Sequence, residues 1–552
     1  MYIDDLYRHS QVTTTTKSPL SAKESNKLII SVRDNNDNND NNSKEAAFFQ
    51  NFVPAERLKR SDLNQNLLKV RYAIRGRIPS LAETYKSQLE GALQSGLNPQ
   101  LPFDSVILAN IGNPQELGQK PLTFTRQVLS LLEYPQLLEQ VTSHGGKTGD
   151  IGCCFNADAL RRATSILNSV KSMGAYSPVQ GFLSIRKSVA DFLERRDQEP
   201  ASSEDIFLTN GATAAITYLF NALCKGSSDG VLLPVPEYPL YTALATIHGS
   251  TLLPYYLEEE EGEDSNWSIN TEEIEQRLER MAQEGTVKPT IMVVINPGNP
   301  TGSVLSTDTI ARILRLSAKF GFAVLADEVY QENVFPEFAT FHSFKKVLCT
   351  LKRQFPGTYD SVQLCSVHST SKGVTGECGH RGGYMELVGF SEDVRNEILK
   401  ASSLDVCSST PGQVVVDLMV NPPRPGDESF ERDQLERRAI RESLQQRCTR
   451  LYEMLSSLEG VECKKPQGAM YLFPRLTLPR RALEEAARQN MSPDEFYCIA
   501  LLKRTGICTV PGTGFGQRKG TYHLRTTFLA PGTEWIDRWR VFHKEFYAKY
   551  SD

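Results

Sequence analysis

Five short apolar runs separated by amphipathic stretches constrain this chain more than any other feature. They read "DIFLTNG", "GVLLPVP", "TIMVVINPGNP", "GFAVLADEVY" and "SVQLCSVHS". Each has strand length and shows no polar alternation, so both of its faces need cover. "AAITYLFNALC" and "TDTIARILRLSAKFG", which lie between them, carry helical periodicity. Strands alternating with helices predict an α/β fold with a mostly parallel sheet covered on both sides. Upstream, "SLAETYKSQLEGALQSG" predicts a helix stopped by Gly96, and "SVILANIGNPQE" a strand entering a turn at Gly112-Asn113-Pro114. After about Pro425 the pattern changes. A charged helix, "DESFERDQLERRAIRESLQQRCTRLYEMLSSLEG", short strands and a second helix, "SPDEFYCIALLKRTG", predict a smaller α+β domain. No repeat period runs through the chain.

Composition removes several function classes. A net charge of −5 across 552 residues argues against a nucleic-acid surface. No apolar run reaches membrane-spanning length. The 11 cysteines and 8 histidines are scattered, without CxxC or HExxH. A disulfide framework or a metal site is therefore not expected, and reduced, mostly buried thiols in a reducing compartment are. Residues 1–50 are polar and repetitive ("RDNNDNNDNNSKE") and are expected to be a disordered tail. Asp4, Asp5 and Glu24 argue against a transit peptide, whereas Arg8, Lys17, Lys23 and Lys27 favour one. The cytoplasm is the expected compartment, with the mitochondrial matrix as the alternative. The expected divisions are an N-terminal arm with part of the small domain (51–125), a large domain (126–428) and a C-terminal small domain (429–552).

In open α/β sheets ligands bind beyond the carboxyl ends of the strands, so the polar residues that end each apolar run are the candidates. After "DIFLT" come Asn210, Gly211, Ala212 and Thr213, opening a helix. Such a start either binds an anion through free backbone N–H groups or is simply capped by Asn210 or Thr213. After "IMVVI", "NPGNPTG" is a turn that also offers the amide of Asn299. Asp327 ends "AVLAD" after four apolar residues, where a carboxylate needs a cation or a donor. Tyr330 falls on the same side if the chain turns helical there. Lys372 follows "SVQLCSVHS" in "HSTSKGVTGECGHRGGY", which also holds Ser369 and Arg381. "PEYPLY" places Tyr238 in a turn, either packed or presented to a ligand. An amine, a buried acid, an aromatic and an anion cradle at neighbouring strand ends suit pyridoxal phosphate.

These residues carry a family resemblance. "NPGNPTG", "ADEVY" and "STSKG…HRGG" are similar to the fold-type I pyridoxal-phosphate aminotransferases. "GAYSPVQG", "LTNGAT", "NPGNPTGSVL" and "GECGHRGGY" resemble most the alanine aminotransferase branch. The resemblance covers everything after the polar tail. It implies a large domain with a mostly parallel seven-stranded sheet between helices, plus a smaller α+β domain. It implies Lys372 as the catalytic residue and covalent anchor of pyridoxal 5′-phosphate, and Asp327 as partner of its ring nitrogen. Asn299 and Tyr330 would bond the ring oxygen and Tyr238 would stack on the ring. Ala212, Thr213, Ser369 and Arg381 would hold the phosphate. Tyr176 would reach the phosphate in a second subunit, making a homodimer with shared sites. Gly112 and Arg525 would bind the substrate, Arg525 through its α-carboxylate, although a structural ion pair is the plain alternative for that arginine. "PGTGFG" (511–516) lacks dinucleotide-loop spacing and reads as a loop leading to Arg525. His368 and His380 are expected to serve local packing or hydrogen bonding. The implied reaction is transamination of L-alanine with 2-oxoglutarate by a ping-pong mechanism. Glyoxylate as amino acceptor, a lyase of the aminocyclopropane-carboxylate synthase type and a non-catalytic cofactor sensor are the alternatives.

Overall fold

A computed structural model describes residues 58–70, 76–96, 100–143, 154–259 and 266–551. The expected disordered tail (1–50) lies outside these residues. Two units are distinguished by their internal contacts, residues 1–63 and residues 64–552. In the first, the described residues form one short 3-10 turn, Arg60–Asp62. The remainder of the description concerns the second unit.

Its centre is an eight-stranded sheet. The strands are β1 (Ile206–Asn210), β2 (Asp229–Val235), β3 (Thr251–Glu259), β4 (Trp267–Ile269), β5 (Lys288–Ile295), β6 (Ala323–Asp327), β7 (Leu364–Ser369) and β8 (Gly382–Val388). Their order is β1-β8-β7-β6-β5-β2-β3-β4. β7, β6, β5, β2 and β3 are parallel, while β8 and the edge strand β4 run antiparallel to their neighbours. The fold class is the expected one, but the expected seven strands become eight. β4 is three residues long, too short to show a period in sequence.

Alternation along the central strands explains why their sequences read as continuous apolar runs. Ile291, Val293 and Ile295 of β5, with Ala323 and Leu325 of β6, enter one core; Met292, Val294, Val324 and Ala326 enter the core on the opposite face. Helix α1 (Ala212–Leu223) covers the first face and α2 (Thr307–Phe320) the second. α2 is bounded as expected, with Ser306 accepting from the Thr309 N–H at its start and Gly321 at φ 74° at its end.

A separate core joins the chain before and after this sheet. Ile78 and Ala82 of the helix Arg77–Ser95 pack with Leu444, Leu451, Trp539 and Phe546 from the long helices Phe430–Ser456 and Glu534–Tyr550. Here the strand expected after Ser105 shrinks to Ile107–Leu108, paired with Ile507–Cys508. Gly96 ends its helix at φ 65°, as expected. Ten described cysteines are free thiols, five of them buried. Among the described residues no helix is long and apolar enough to cross a membrane.

Leu325 is fully buried between neighbouring strands. Leu325→Ala is expected to cost about 2–5 kcal/mol of stability, read from the urea unfolding midpoint.

Candidate active site

The carboxyl ends of the parallel strands and the start of β8 meet at one cavity of about 420 Å³. Every expected cofactor or substrate residue lines it except Tyr176: Gly112, Ala212, Thr213, Tyr238, Asn299, Asp327, Tyr330, Ser369, Lys372, Arg381 and Arg525. Tyr176 lies elsewhere on the chain, 82% exposed.

Register places these groups. Asp327 ends β6 opposite Ile295 and Val367. It follows Ala323 and Leu325 on the sheet face covered by α1, and so faces the cavity. Its Oδ2 accepts a short hydrogen bond from the Tyr241 hydroxyl, and Oδ1 accepts from the Val329 N–H at 3.3 Å. Burial raises its pKa against those two hydrogen bonds and the charge of Lys372. Burial, the charge of Asp327 and the bond to it push the Tyr241 phenol far above its usual range, so it stays a donor.

β7 leads into the loop that carries Lys372, whose Nζ donates to the Gly112 carbonyl at 2.6 Å and lies 5.7 Å from the centre of the Tyr330 ring. Tyr330 arrives there through a turn, not the helical turn considered from sequence. Its hydroxyl donates to that of Tyr471 at 3.2 Å. Burial raises Tyr471, but Lys372, Arg525 and the Tyr330 hydrogen bond outweigh it and hold this phenol below its ordinary value. Gly112 has to be glycine, since a Cβ would stand 2.0 Å from the Tyr471 hydroxyl.

The antiparallel return of β8 decides where Arg381 goes. Asn210 pairs with Gly382 and Ser369 with Gly383, so Arg381 stands at the start of α1. Among the described residues its guanidinium donates only to the carbonyls of Cys378 and Asn210, at 3.2 and 3.1 Å. α1 itself opens at Gly211, φ 74°, with no side-chain cap. The capping considered for Asn210 or Thr213 is therefore absent, because Asn210 Oδ1 is taken by the Ser409 N–H. A Cβ on Gly211 would lie 2.6 Å from the Arg381 guanidinium.

Arg525 is 2% exposed. It donates to Asn299 Oδ1 at 3.0 Å and to the Asn110 carbonyl at 2.6 Å, and its carbon lies 4.2 and 4.6 Å from the centres of the Tyr471 and Phe515 rings. Nε is buried without a partner. Among the described residues no carboxylate pairs with it, which removes the structural ion pair considered from sequence. His368 packs edge-on against Tyr384 and His380 bonds Glu377 at 2.9 Å, the local roles expected of them.

Sequence reasoning missed Tyr241, Tyr471 and Asn110. Tyr241, three residues after Tyr238 in "PEYPLY", was within reach once that turn was seen to open a helix, Leu240–Ile247. Tyr471 and Asn110 carry no local signal.

The arrangement wants charge from outside. Lys372, Arg381 and Arg525 converge on a cavity whose one buried carboxylate, Asp327, has no cation within ion-pairing distance among the described residues. A ligand with two anionic groups and one cationic N–H complements this, and the phosphate, ring nitrogen and substrate carboxylate implied by the resemblance fit it.

The chain's residues 155–535 match the family model "Aminotransferase class I and II". It is 56% identical to the mitochondrial alanine aminotransferase of Saccharomyces cerevisiae over 503 residues, 91% of this chain and 82% of the relative. A second protein of that yeast, named inactive alanine aminotransferase, is 54% identical over 91% of this chain and 96% of its own length. Among solved structures, an alanine aminotransferase of Pyrococcus furiosus superposes with a TM-score of 0.62 at 22% identity, covering 88% of this chain and 100% of that one.

Inorganic phosphate is expected to stabilise the ligand-free protein by about 2.7 kcal/mol at a hundredfold excess over its Kd, read as a rise in the unfolding midpoint. Arg381→Gln is expected to weaken that affinity roughly tenfold. An unchanged shift in the variant would place the anion elsewhere.

Proposed function

The chain belongs to the class I and II aminotransferases, and from that premise we propose that it exchanges an amino group between L-alanine and 2-oxoglutarate, giving pyruvate and L-glutamate. The cofactor in this reading is pyridoxal 5′-phosphate. The observation that carries it is the set of charges around one lysine that have no ion-pair partner among the described residues: Asp327 without a cation, Arg381 and Arg525 without carboxylates. The relatives' names supply the choice of alanine.

When bound, the cofactor supplies an electron sink for the charge left on the substrate Cα as its proton departs. The protein's side chains do the rest. Lys372 would anchor the cofactor covalently, and its free amine would take the proton from Cα as general base. Asp327, held by Tyr241 and the Val329 N–H, would face the ring nitrogen, whose positive charge would offset the burial of the carboxylate and be held protonated by it. Asn299 and Tyr330 would hold the ring oxygen, and Tyr238 would cover the ring face. Ala212, Thr213, Ser369 and Arg381 hold the phosphate at the uncapped start of α1. Arg525 takes the α-carboxylate as a planar fork that a lysine would not match, and Gly112 lines the substrate through its backbone.

The exposed Tyr176 serves the phosphate of a second subunit, so the working form is a homodimer with shared sites. In this reading the large domain is 126–428, 51–125 supplies an N-terminal arm and part of the small domain, and 429–552 supplies the rest of the small domain. The yeast relative is named mitochondrial, which supports the matrix over the cytosol.

The relative named inactive makes turnover itself the first quantity to measure. Lys372→Ala is expected to lower alanine–oxoglutarate exchange by at least about 10²–10⁴-fold and to remove the absorption band formed on adding cofactor; retained exchange refutes the assignment. Asp327→Asn is expected to be nearly inactive while still binding cofactor, and wild-type rates in it would end that residue's role. A screen of amino donors against 2-oxoglutarate and glyoxylate is expected to favour alanine with 2-oxoglutarate. No keto acid from alanine would sink the transaminase reading.

A further inference from the structure

Glu237 has no part in the roles above, and its surroundings are unusual for a carboxyl. It is 4% exposed. Its Oε1 accepts from the Thr242 N–H at 3.2 Å and, over a short contact, from the Thr242 hydroxyl. Its Oε2 is buried with no hydrogen-bond partner among the described residues. Its own N–H donates to the Phe515 carbonyl at 2.8 Å. The titratable groups around it are Tyr238 and Tyr241 on its own segment and Tyr255 of β3, with Asp327 of β6 behind the Tyr241 hydroxyl. The Phe515 segment presents its backbone carbonyl, and the Arg525 guanidinium carbon lies 4.6 Å from the centre of the Phe515 ring. No cation acts on the group among the described residues.

The backbone loop that this carboxyl closes contains both site tyrosines. Tyr238, Pro239, Leu240 and Tyr241 lie between Glu237 and Thr242. Helix Leu240–Ile247 starts within the loop, and Pro239 gives it no side-chain cap. The bonds from Thr242 to Glu237 satisfy an N–H of the first turn from two residues further out. One carboxyl thus fixes the turn that presents Tyr238 to the cavity and Tyr241 to Asp327.

We propose that Glu237 is a positioning residue for this tyrosine pair and that it works as the neutral acid. The proposal rests on reading the cavity as a pyridoxal phosphate site. A carboxylate ion there would leave one oxygen uncompensated in apolar surroundings, and burial accordingly pushes the group up to about 8. Ionised, it would add a second negative charge beside the hydroxyl on which Asp327 depends. A carboxyl raised above its unfolded value of 4.5 binds more protons folded than unfolded. Its contribution to stability therefore falls as pH rises from about 4.5 to about 8, and then levels off.

The test compares Glu237→Gln, which keeps an acceptor for Thr242 but does not ionise, with Glu237→Ala, which keeps neither property. Infrared difference spectra of the holoenzyme, wild type minus Glu237→Gln, are expected to show a protonated-carboxyl stretch that is lost with a midpoint near pH 8; a carboxylate already present at about pH 6 overturns the neutral acid. In urea, the wild-type unfolding constant is expected to rise about tenfold per pH unit relative to Glu237→Gln between about pH 5 and pH 8; parallel profiles overturn it. Glu237→Ala is expected to shift the pH titration of the bound cofactor's absorbance and weaken cofactor binding, with Glu237→Gln restoring the binding. A wild-type spectrum and affinity in Glu237→Ala overturn the positioning role. Wild-type protein that takes up no pyridoxal phosphate refutes the reading of the cavity, while the urea profiles, which need no cofactor, still decide the state of Glu237.

Discussion

The bond between the Tyr241 hydroxyl and Asp327 is the contact on which the rest of the site depends. Asp327 stands at the end of a fully buried strand, where an ionised carboxyl is unfavourable without donors. Tyr241 and the Val329 N–H supply two, and a cationic ring nitrogen would complete the set. Both sides of this bond are backed by structure: β6 is flanked by two parallel neighbours, and Tyr241 rides on a turn closed by Glu237 and Thr242. Without the sheet the carboxylate would be solvated and of no use to a ring nitrogen.

The second requirement is a change of direction. Parallel strands alone would deliver one polar end each. β8 runs backwards between β1 and β7, so its beginning lies at the same edge as their ends. That places Arg381 beside the uncapped start of α1, where backbone N–H groups and a guanidinium come together. Arg525 reaches the cavity from the other core, on a strand (Leu524–Thr527) paired with Val510–Pro511. Its bonds to Asn299 and Asn110 hold it against opposition from its own desolvation. The two guanidiniums are thus held apart by different cores, which suits a phosphate at one end of a ligand and a carboxylate at the other.

Much of this was legible in the chain. "GFAVLADEVY" shows its buried strand because four apolar residues precede Asp327, and a carboxyl in that setting announces a partner. "HSTSKG" follows another such strand, so Lys372 falls at the same sheet edge. Tyr330 was placed correctly for the wrong local reason, since a turn rather than a helix brings it in. The edge strand Trp267–Ile269 was missed because three residues carry no period. Tyr471 and Asn110 were missed because their neighbours in sequence say nothing about a site assembled from positions hundreds of residues apart.

By itself the sequence determined the strand faces, the helix ends and which polar residues stand where the strands stop, because burial, periodicity and capping act over a few residues. The tertiary structure alone decided which charges lack partners. Arg525 read equally well as half of an ion pair until the fold set it against two aromatic rings with only an amide and a carbonyl oxygen to bond. Glu237 carries no signal of its own in the sequence, and the fold buries it with no cation acting on it among the described residues. A charge's partners are a property of the space around it, and that space is made by segments distant in sequence.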